Sequence, residues 1–366
     1  MSRKRIVVKI GSSSLTNERG EIDQKKLDEH VKAIAGLRAA NHEVILVSSG
    51  AVAAGFPKIG YSSRPVTVKG KQAAAAVGQS LLIQTYIAKF KEFNIIPAQI
   101  LLTREDFASR ERYQNGFATV TELLERGILP IINENDTVAV EELTFGDNDM
   151  LSALVSGFIH ADLLIMLTDI NGLYNGNPRT NPHAKRYDYL EDITEEMLEA
   201  TDDKGSKVGT GGMKSKLQAA KTSISLGVSV FIGQGEGRDK LLRILAGEGD
   251  GTYISNGSIQ PINTKKQWIA IHSETSGKIF IDQGAEEAIL YHGGSLLPAG
   301  VFKVEGQFAS GDVVEVYGLN GLLGKGEVSC SSDDIQHAIS KRNGVGGKSI
   351  IPSVEVIHRN RWVNVK

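Results

Sequence analysis

Residues Arg5 to Ser14 read RIVVKIGSSS, a β-branched apolar run broken by one lysine and closed by a glycine and three serines. Ile6, Val7, Val8 and Ile10 leave no polar face. That is the pattern of a strand covered on both sides, as in a parallel sheet, rather than of a half-exposed strand. Similar runs follow at 43–48 (EVILVS), 95–103 (IIPAQILLT), 128–133 (ILPIIN), 162–169 (DLLIMLTD) and 228–233 (VSVFIG). Between them lie segments of helical spacing. The first opens at Asp23, a capping residue type, and sets Leu27, Val31, Ile34 and Leu37 on one face. Further helices are expected over Gly70–Phe93, Phe117–Arg126, Asn148–His160, Met213–Leu226 and Gly237–Ala246. Strands alternating with helices of this length predict a three-layer α/β/α sandwich around a mostly parallel open sheet. DINGLYNGNPRTNP, at 169–182, predicts a tight turn at Asn171-Gly172 and an excursion from that sheet.

After residue 255 the rhythm changes. NGSIQPINTKKQW reads as a polar linker, and short strands follow in KIFID, GVFKVEG, DVVEVYG, GKGEVSC and SVEVIHR, parted by glycine-rich turns. The expected organisation is an α/β domain at 1–255, a linker at 256–275 and a small, mainly β domain at 276–366.

Composition narrows the function. The 366 residues are 41% hydrophobic with a formal net charge of −2, so no global charge draws the chain to nucleic acid or membrane. No apolar run is long enough for a bilayer, and the basic start MSRKR leads into a run containing Lys9, unlike a signal peptide. One cysteine, Cys330, excludes an intrachain disulfide and a cysteine-rich zinc site. A cytoplasmic location is expected.

In open α/β sheets, ligands gather beyond the carboxyl ends of the strands. Here those exits are rich in glycine and serine: Gly11 to Ser14 after the first strand, Ser48-Ser49-Gly50 after the second, and KVGTGGMKSK, 207–216, before a helix. Such loops let backbone N–H groups approach an anion, although each alone is equally ordinary turn chemistry. Neither a GxxxxGK[ST] nor a GxGxxG motif is present at a strand exit. Two lysines sharpen the reading. Lys9 ends a strand otherwise fit for burial, and Lys216 lies in the first turn of a helix, where a cation opposes the dipole. Both placements make sense around an anion; the alternative is that each side chain reaches solvent.

The stretch NENDTVAVEELTFGDND, 133–149, packs Asn, Asp and Glu at both ends after an apolar strand. It lacks the ligand spacing of a calcium loop, so no protein metal cage is expected. Asn135 and Asp147 read more readily as turn caps than as ligand contacts, and either Asp147 or Asn148 suits the N-cap of the following helix.

VVKIGSSSLT, VSSGAVAAG, INENDTVAV with FGDNDMLSALV, LLTDINGLYNGNPR and GTGGMKSKLQAA, in this order, resemble the amino acid kinase family, and within it the members that phosphorylate glutamate. GKIFIDQGAEEAIL and GGSLLPAG resemble the PUA domain that many of those members append. The glycine loop departs slightly from the family pattern, with Lys214 and Ser215 where small hydroxyl residues are common. The resemblance implies transfer of the γ-phosphoryl group of ATP, with Mg2+ on its phosphates, to the side-chain carboxylate of L-glutamate, the first step of proline synthesis. It implies catalytic roles for Lys9, Lys216 and an organising Asp149. It further implies ATP contacts from Lys9, Gly11, Ser12, Thr168, Asp169, Thr210, Gly211, Gly212, Met213, Lys214, Ser215 and Lys216. Glutamate contacts are implied for Ser49, Gly50, Asp136 and Asn148, with Asn133 beside them. A homo-oligomer (dimer or tetramer), feedback inhibition by proline and hand-over of the acyl phosphate to a reductase are also implied. Rival family activities are phosphorylation of acetylglutamate, carbamate, aspartate or UMP. RNA binding through the PUA-like region is disfavoured by charge: from 276 onward, 9 Lys and Arg face 10 Asp and Glu, a net of about −1.

Overall fold

Strand β1 (Arg5–Ile10) sits inside an eight-stranded sheet, with β2 (Glu43–Ser48) on one side and β5 (Leu163–Leu167) on the other, both parallel to it. The computed structural model describes residues 2–138, 148–176, 178, 181, 183–199, 212–257, 266, 268–269, 273, 275–343 and 355–364. The chain divides into two compact units: 1–106 with 112–261, and 107–111 with 262–366.

In the first unit the sheet is completed by β3 (Pro97–Leu102), β4 (Leu129–Glu134), β8 (Tyr189–Leu190), β9 (Ser229–Gln234) and β10 (Asp250–Ile254), in the order β3-β4-β2-β1-β5-β9-β10-β8. All described pairings are parallel except β9 with β10. The excursion after β5 holds a two-stranded ribbon, β6 (Leu173–Tyr174) against β7 (Arg186–Tyr187). Gly172, at its start, has φ +122°, and a Cβ there would lie 2.7 Å from Thr252 Oγ1, so the turn needs glycine.

The helices are α1 (Ser12–Leu15), α2 (Gln24–Ala39), α3 (Ala51–Gly55), α4 (Val68–Lys91), α5 (Arg104–Ala108), α6 (Arg110–Glu125), α7 (Asn148–Phe158), α8 (Glu195–Glu199), α9 (Met213–Ser225) and α10 (Lys240–Leu245). Asp23 caps α2 as expected, accepting from the N–H groups of Lys25 and Lys26 at 2.9 and 3.2 Å. The expected helix at Phe117–Arg126 begins earlier, at Arg110, running through Gly116. The Phe158 ring explains that glycine: it comes within 3.2 Å of where a Cβ would stand, and Tyr113 meets it edge-on at 4.8 Å. Glycine here makes room for a ring rather than ending the helix.

Strand parity decides what β1 presents to each layer. Ile6, Val8 and Ile10 join the cluster containing Leu27, Val31, Ile34 and Leu37 of α2 and Leu82, Tyr86 and Phe90 of α4. Lys9, one residue out of phase, faces the layer of α7, where its partner lies. Register decides the rest. Ile10 pairs with Ser48 and with Leu167, so the loops beginning at Gly11, Ser49 and Thr168 leave one sheet edge side by side. Opposite, α3 and α4 cross at Gly55 and Gly78, whose absent Cβ atoms would lie 1.9 Å from Ala74 O and 1.7 Å from Ala51 O. Backbone packs on backbone there, which locks the Ser49-Gly50 turn to α4.

The second unit carries a five-stranded sheet in the order β12-β11-β13-β14-β15: β11 (Thr275–Ile281), β12 (Val301–Gly306), β13 (Val313–Gly318), β14 (Gly321–Val328) and β15 (Ile357–Asn364). Its core joins Ile279, Ile281, Val301, Val314, Val316, Val328 and Ile357. The last strand expected, SVEVIHR, is displaced toward the C-terminus, because Trp362 and the residues around it supply the pairing with β14; residues 353–354 lie outside the described residues. Two helices, α11 (Gln283–Leu290) and α12 (Ser332–Asn343), interrupt the β pattern.

Gly78→Ala is expected to cost about 3 kcal/mol or more, since the added methyl meets backbone that cannot yield. Thermal denaturation checks it, and a melting temperature within a degree or two of the parent refutes the tight crossing.

Candidate active site

Asp149, second residue of α7 and fully buried, lies between two lysines. Its Oδ1 accepts from Lys9 Nζ at 2.5 Å and its Oδ2 from Lys216 Nζ at 3.0 Å. Ser215 Oγ donates to the same Oδ2 at 2.9 Å. Lys9 and Lys216 are themselves only 1% and 7% exposed, so the reading in which they extend to solvent fails. Burial alone would raise the Asp149 carboxyl. The two ammonium groups and their hydrogen bonds outweigh that and hold it well below the usual carboxylate range. The carboxylate of Asp149 thus engages an ammonium group on each of its two oxygens.

The lysines arrive from different elements. Lys9 comes from the end of β1, and Lys216 from the first turn of α9, whose start at Gly212 has no side-chain cap. Gly212 O lies at the same 2.9 Å from Ser215 Oγ and shares its single hydrogen, tying the helix start to the carboxylate. Gly11 leaves room beside Lys9: a Cβ there would stand 3.3 Å from Nζ. Thr168 and Asp169 follow β5, Thr168 Oγ1 donating to Asp169 Oδ1 at 3.1 Å, while Thr168 N donates to Gly233 O at 3.0 Å. Met213 and Lys214 occupy the first turn of α9. Thr210 and Gly211 lie outside the described residues.

Asn148 precedes Asp149 on α7 and reaches the other way. Its two Nδ2 hydrogens are shared among three acceptors, Ser48 O at 2.6 Å, Asn133 Oδ1 at 2.8 Å and Ser49 Oγ at 3.1 Å. It therefore crosslinks the exits of β2 and β4 rather than capping its own helix. Gly50 holds φ +102° with Ile22 Cδ1 3.0 Å from its missing Cβ, a turn that needs glycine. Asp136 is half-buried in the turn after β4, and burial pushes its carboxyl up to about 6, partly opposed by Arg64. Asp147 lies outside the described residues. Asn135 Oδ1 accepts from Thr137 Oγ1 at 2.5 Å, turn chemistry of the expected kind.

The sequence reading overlooked Gln79, whose Nε2 donates to Glu134 O at 3.3 Å, and the bond from Ser215 to Asp149. The small-residue run ahead of Gln79, AAAAVG, is the signal of a close helix crossing that would direct attention there. Among the described residues, no group of three or more His, Cys, Asp or Glu side chains could hold a metal ion. No helix among them is long and apolar enough to cross a membrane.

A strand-end lysine and a helix-start lysine thus meet on one buried aspartate at the carboxyl edge of the parallel sheet of an α/β sandwich. The model of the amino acid kinase family matches residues 4–234, and that of the PUA domain residues 277–345. The chain belongs to the amino acid kinase family. It is 63% identical over 366 residues to glutamate 5-kinase 1 of Bacillus licheniformis and 62% identical to glutamate 5-kinase 1 of Bacillus subtilis strain 168, covering 100% of each chain. Among solved structures, carbamate kinase from Giardia lamblia aligns with a TM-score of 0.49 at 15% identity, over 69% of this chain and 99% of that one.

Replacing Asp149 by Asn leaves two buried ammonium groups facing a neutral amide. The expected loss is about 3 to 5 kcal/mol in urea denaturation at neutral pH. Because the fold depresses this carboxyl, its contribution is full above the unfolded carboxylate range and is lost only as the pH falls below it. The stability gap between parent and variant should therefore stay constant from pH 8 to pH 5 and narrow only in stronger acid; a gap that closes between pH 8 and 6 contradicts the assignment.

Proposed function

We propose that the chain phosphorylates the side-chain carboxylate of L-glutamate with MgATP, releasing ADP and L-glutamyl 5-phosphate, the opening step of proline biosynthesis. The observation that carries this reading is the pair of buried lysines on Asp149, in a chain 63% identical, end to end, to a glutamate 5-kinase.

The chemistry needs no general base, because the attacking carboxylate is already an anion. Its oxygen bonds to the γ-phosphorus as the bond from that phosphorus to the β,γ-bridging oxygen breaks, and ADP leaves with the bonding pair. The difficulty is to hold two anions in line and to neutralise the charge spreading over the transferring oxygens. Lys9 and Lys216 meet that need from two sides, and Asp149 fixes both in position. Gly11, Ser12, Gly212 and the rest of the Thr210 to Lys216 loop hold the phosphates, with Thr168 and Asp169 on the nucleotide. The carboxylate of Asp149 is engaged by ammonium and hydroxyl groups, so Mg2+ enters carried on the phosphates of the nucleotide, which suits a cation that retains most of its waters.

Glutamate requires an acceptor for its α-ammonium and donors for its α-carboxylate. Asp136 supplies the first, Ser49 and the Gly50 turn contribute donors, and Asn148 borders both. The chemistry is assigned to residues 1–255, with 256–275 as linker and 276–366 serving oligomer packing or regulation of a dimer or tetramer in the cytoplasm. The product is a labile acyl phosphate, and passage to a reductase follows from that lability.

ADP release dependent on glutamate and MgATP, with the product trapped as a hydroxamate by hydroxylamine, is the direct assay. Turnover with acetylglutamate, carbamate, aspartate or UMP but not glutamate refutes the substrate. Lys216→Ala should lower kcat by about 10³-fold with a much smaller change in KM for ATP, as expected for loss of a charge acting on the transition state. A variant with near-normal kcat removes Lys216 from the mechanism. Asp136 must be ionised to hold an ammonium, and its carboxyl sits at about 6 in the free protein. The kcat/KM for glutamate should therefore fall as the pH drops below about 6. In Asp136→Asn that limb should vanish and KM for glutamate rise at all pH values; a variant that keeps both the limb and the KM contradicts the role.

A further inference from the structure

Two carboxamides meet at the proposed glutamate subsite, and backbone groups fix the orientation of both. Ser48 O only accepts, so the atom of Asn148 that approaches it at 2.6 Å is Nδ2. The backbone N–H of Glu134 only donates, so the atom of Asn133 that it meets at 2.9 Å is Oδ1. Two consequences follow. The amide hydrogens of Asn148 are committed to Ser48, Ser49 and Asn133, which leaves its carboxamide oxygen as the atom available to a ligand. Asn133 Nδ2 is buried and without a hydrogen-bond partner among the described residues.

An orphaned buried donor calls for an acceptor. Asn133 borders a small cavity with about 10 Å³ of free space, the lower limit for one water molecule, where polar Ser48, Gln79, Tyr86 and Gln99 face apolar Leu82, Ile83 and Ile131. Ser48 Oγ and Tyr86 OH, 2.9 Å apart, form one polar wall. Gln79 forms another. It is 8% exposed, its Nε2 donates to Glu134 O at 3.3 Å, and its Oε1 accepts from Gln99 Nε2 at 3.4 Å. Gln79 directly follows Gly78, the glycine on which α3 rests, so its place in α4 is set by backbone contact rather than by a movable side chain.

We propose that Gln79 is a positioning residue for the acceptor substrate. It grips the end of β4 through Glu134 O and, with one water in the cavity, holds the Asn133 carboxamide so that Asn133 in turn holds Asn148 with its oxygen toward the substrate. The group such an oxygen recognises is the α-ammonium, the same group assigned above to the Asp136 carboxylate. A free amino acid satisfies two acceptors there, whereas an acylated nitrogen has neither the charge nor the hydrogens. Gln79 itself touches no substrate. The inference rests on the glutamate-kinase reading.

Steady-state kinetics by hydroxamate trapping, on the full chain, test it with Gln79→Met, Asn148→Ala and the double variant. Gln79→Met should raise KM for glutamate about tenfold, the scale of one lost hydrogen bond, and leave kcat and KM for ATP within about twofold. Because Gln79 acts through Asn148, the same change in the Asn148→Ala background should add less than about twofold. An unchanged glutamate KM in Gln79→Met, equal increments in both backgrounds, or a parallel rise in KM for ATP overturns the proposal. If Gln79→Met is recovered poorly, Gln79→Glu, which keeps the oxygen facing Gln99 and loses the donor to Glu134, is read by the same criteria. A parent chain that does not turn over glutamate refutes the functional reading itself, an outcome separate from failure of the relay.

Discussion

The buried carboxylate of Asp149 is the constraint on which the site depends. Lys9 and Lys216 are placed where folding alone disfavours them, one at the end of an apolar strand and one in the first turn of a helix. A single aspartate with Oδ1 on one and Oδ2 on the other makes both placements tolerable. Removing the aspartate would leave like charges facing each other in a low-dielectric pocket. Removing either lysine would leave the rest of the trio closer to neutral and poorer at receiving a phosphate. Stability and charge presentation are therefore served by the same three side chains.

The start of α7 also sets the geometry between the proposed nucleotide and acceptor sites. Consecutive helical residues are rotated by about 100° and separated by about 1.5 Å along the axis. Asn148 and Asp149 thus point apart from almost the same height, one toward the exits of β2 and β4, the other toward β1 and α9. The group assigned to the acceptor and the group that organises the lysines share one element, itself buried nearly throughout. An in-line transfer needs its two anions fixed relative to each other, and adjacency on a buried helix suits the proposed reaction.

Much of this was legible in the sequence, and for identifiable reasons. Runs such as RIVVKI and DLLIMLTD are apolar on both faces only if both faces are covered, and the parallel sheet follows. A lysine inside such a run, as at Lys9, marks a buried charge and therefore a partner. Boundaries were less legible: the helix expected from Phe117 begins at Arg110, and Gly116 within it is a seat for Phe158. The second unit hid its helices among β-rich segments, and Trp362 drew the last strand beyond the expected span. The identity of the lysines' partner came from family resemblance, since no spacing rule joins residues 140 positions apart. Gln79 carries no motif at all. Its role depends on a helix crossing and on the orientation of two amides, which only three-dimensional register supplies.

The most direct test of the central claim is a crystal structure of the complex with glutamate and a non-hydrolysable ATP analogue, refined well enough to place the γ-phosphate. The account predicts γ-phosphate oxygens within hydrogen-bonding distance of both Lys9 Nζ and Lys216 Nζ, about 3 Å, with Asp149 still engaged by both ammonium groups and the glutamate side-chain carboxylate in line with the phosphorus. A γ-phosphate held away from the two lysines, or Asp149 released from them to ligate a metal ion, would contradict it.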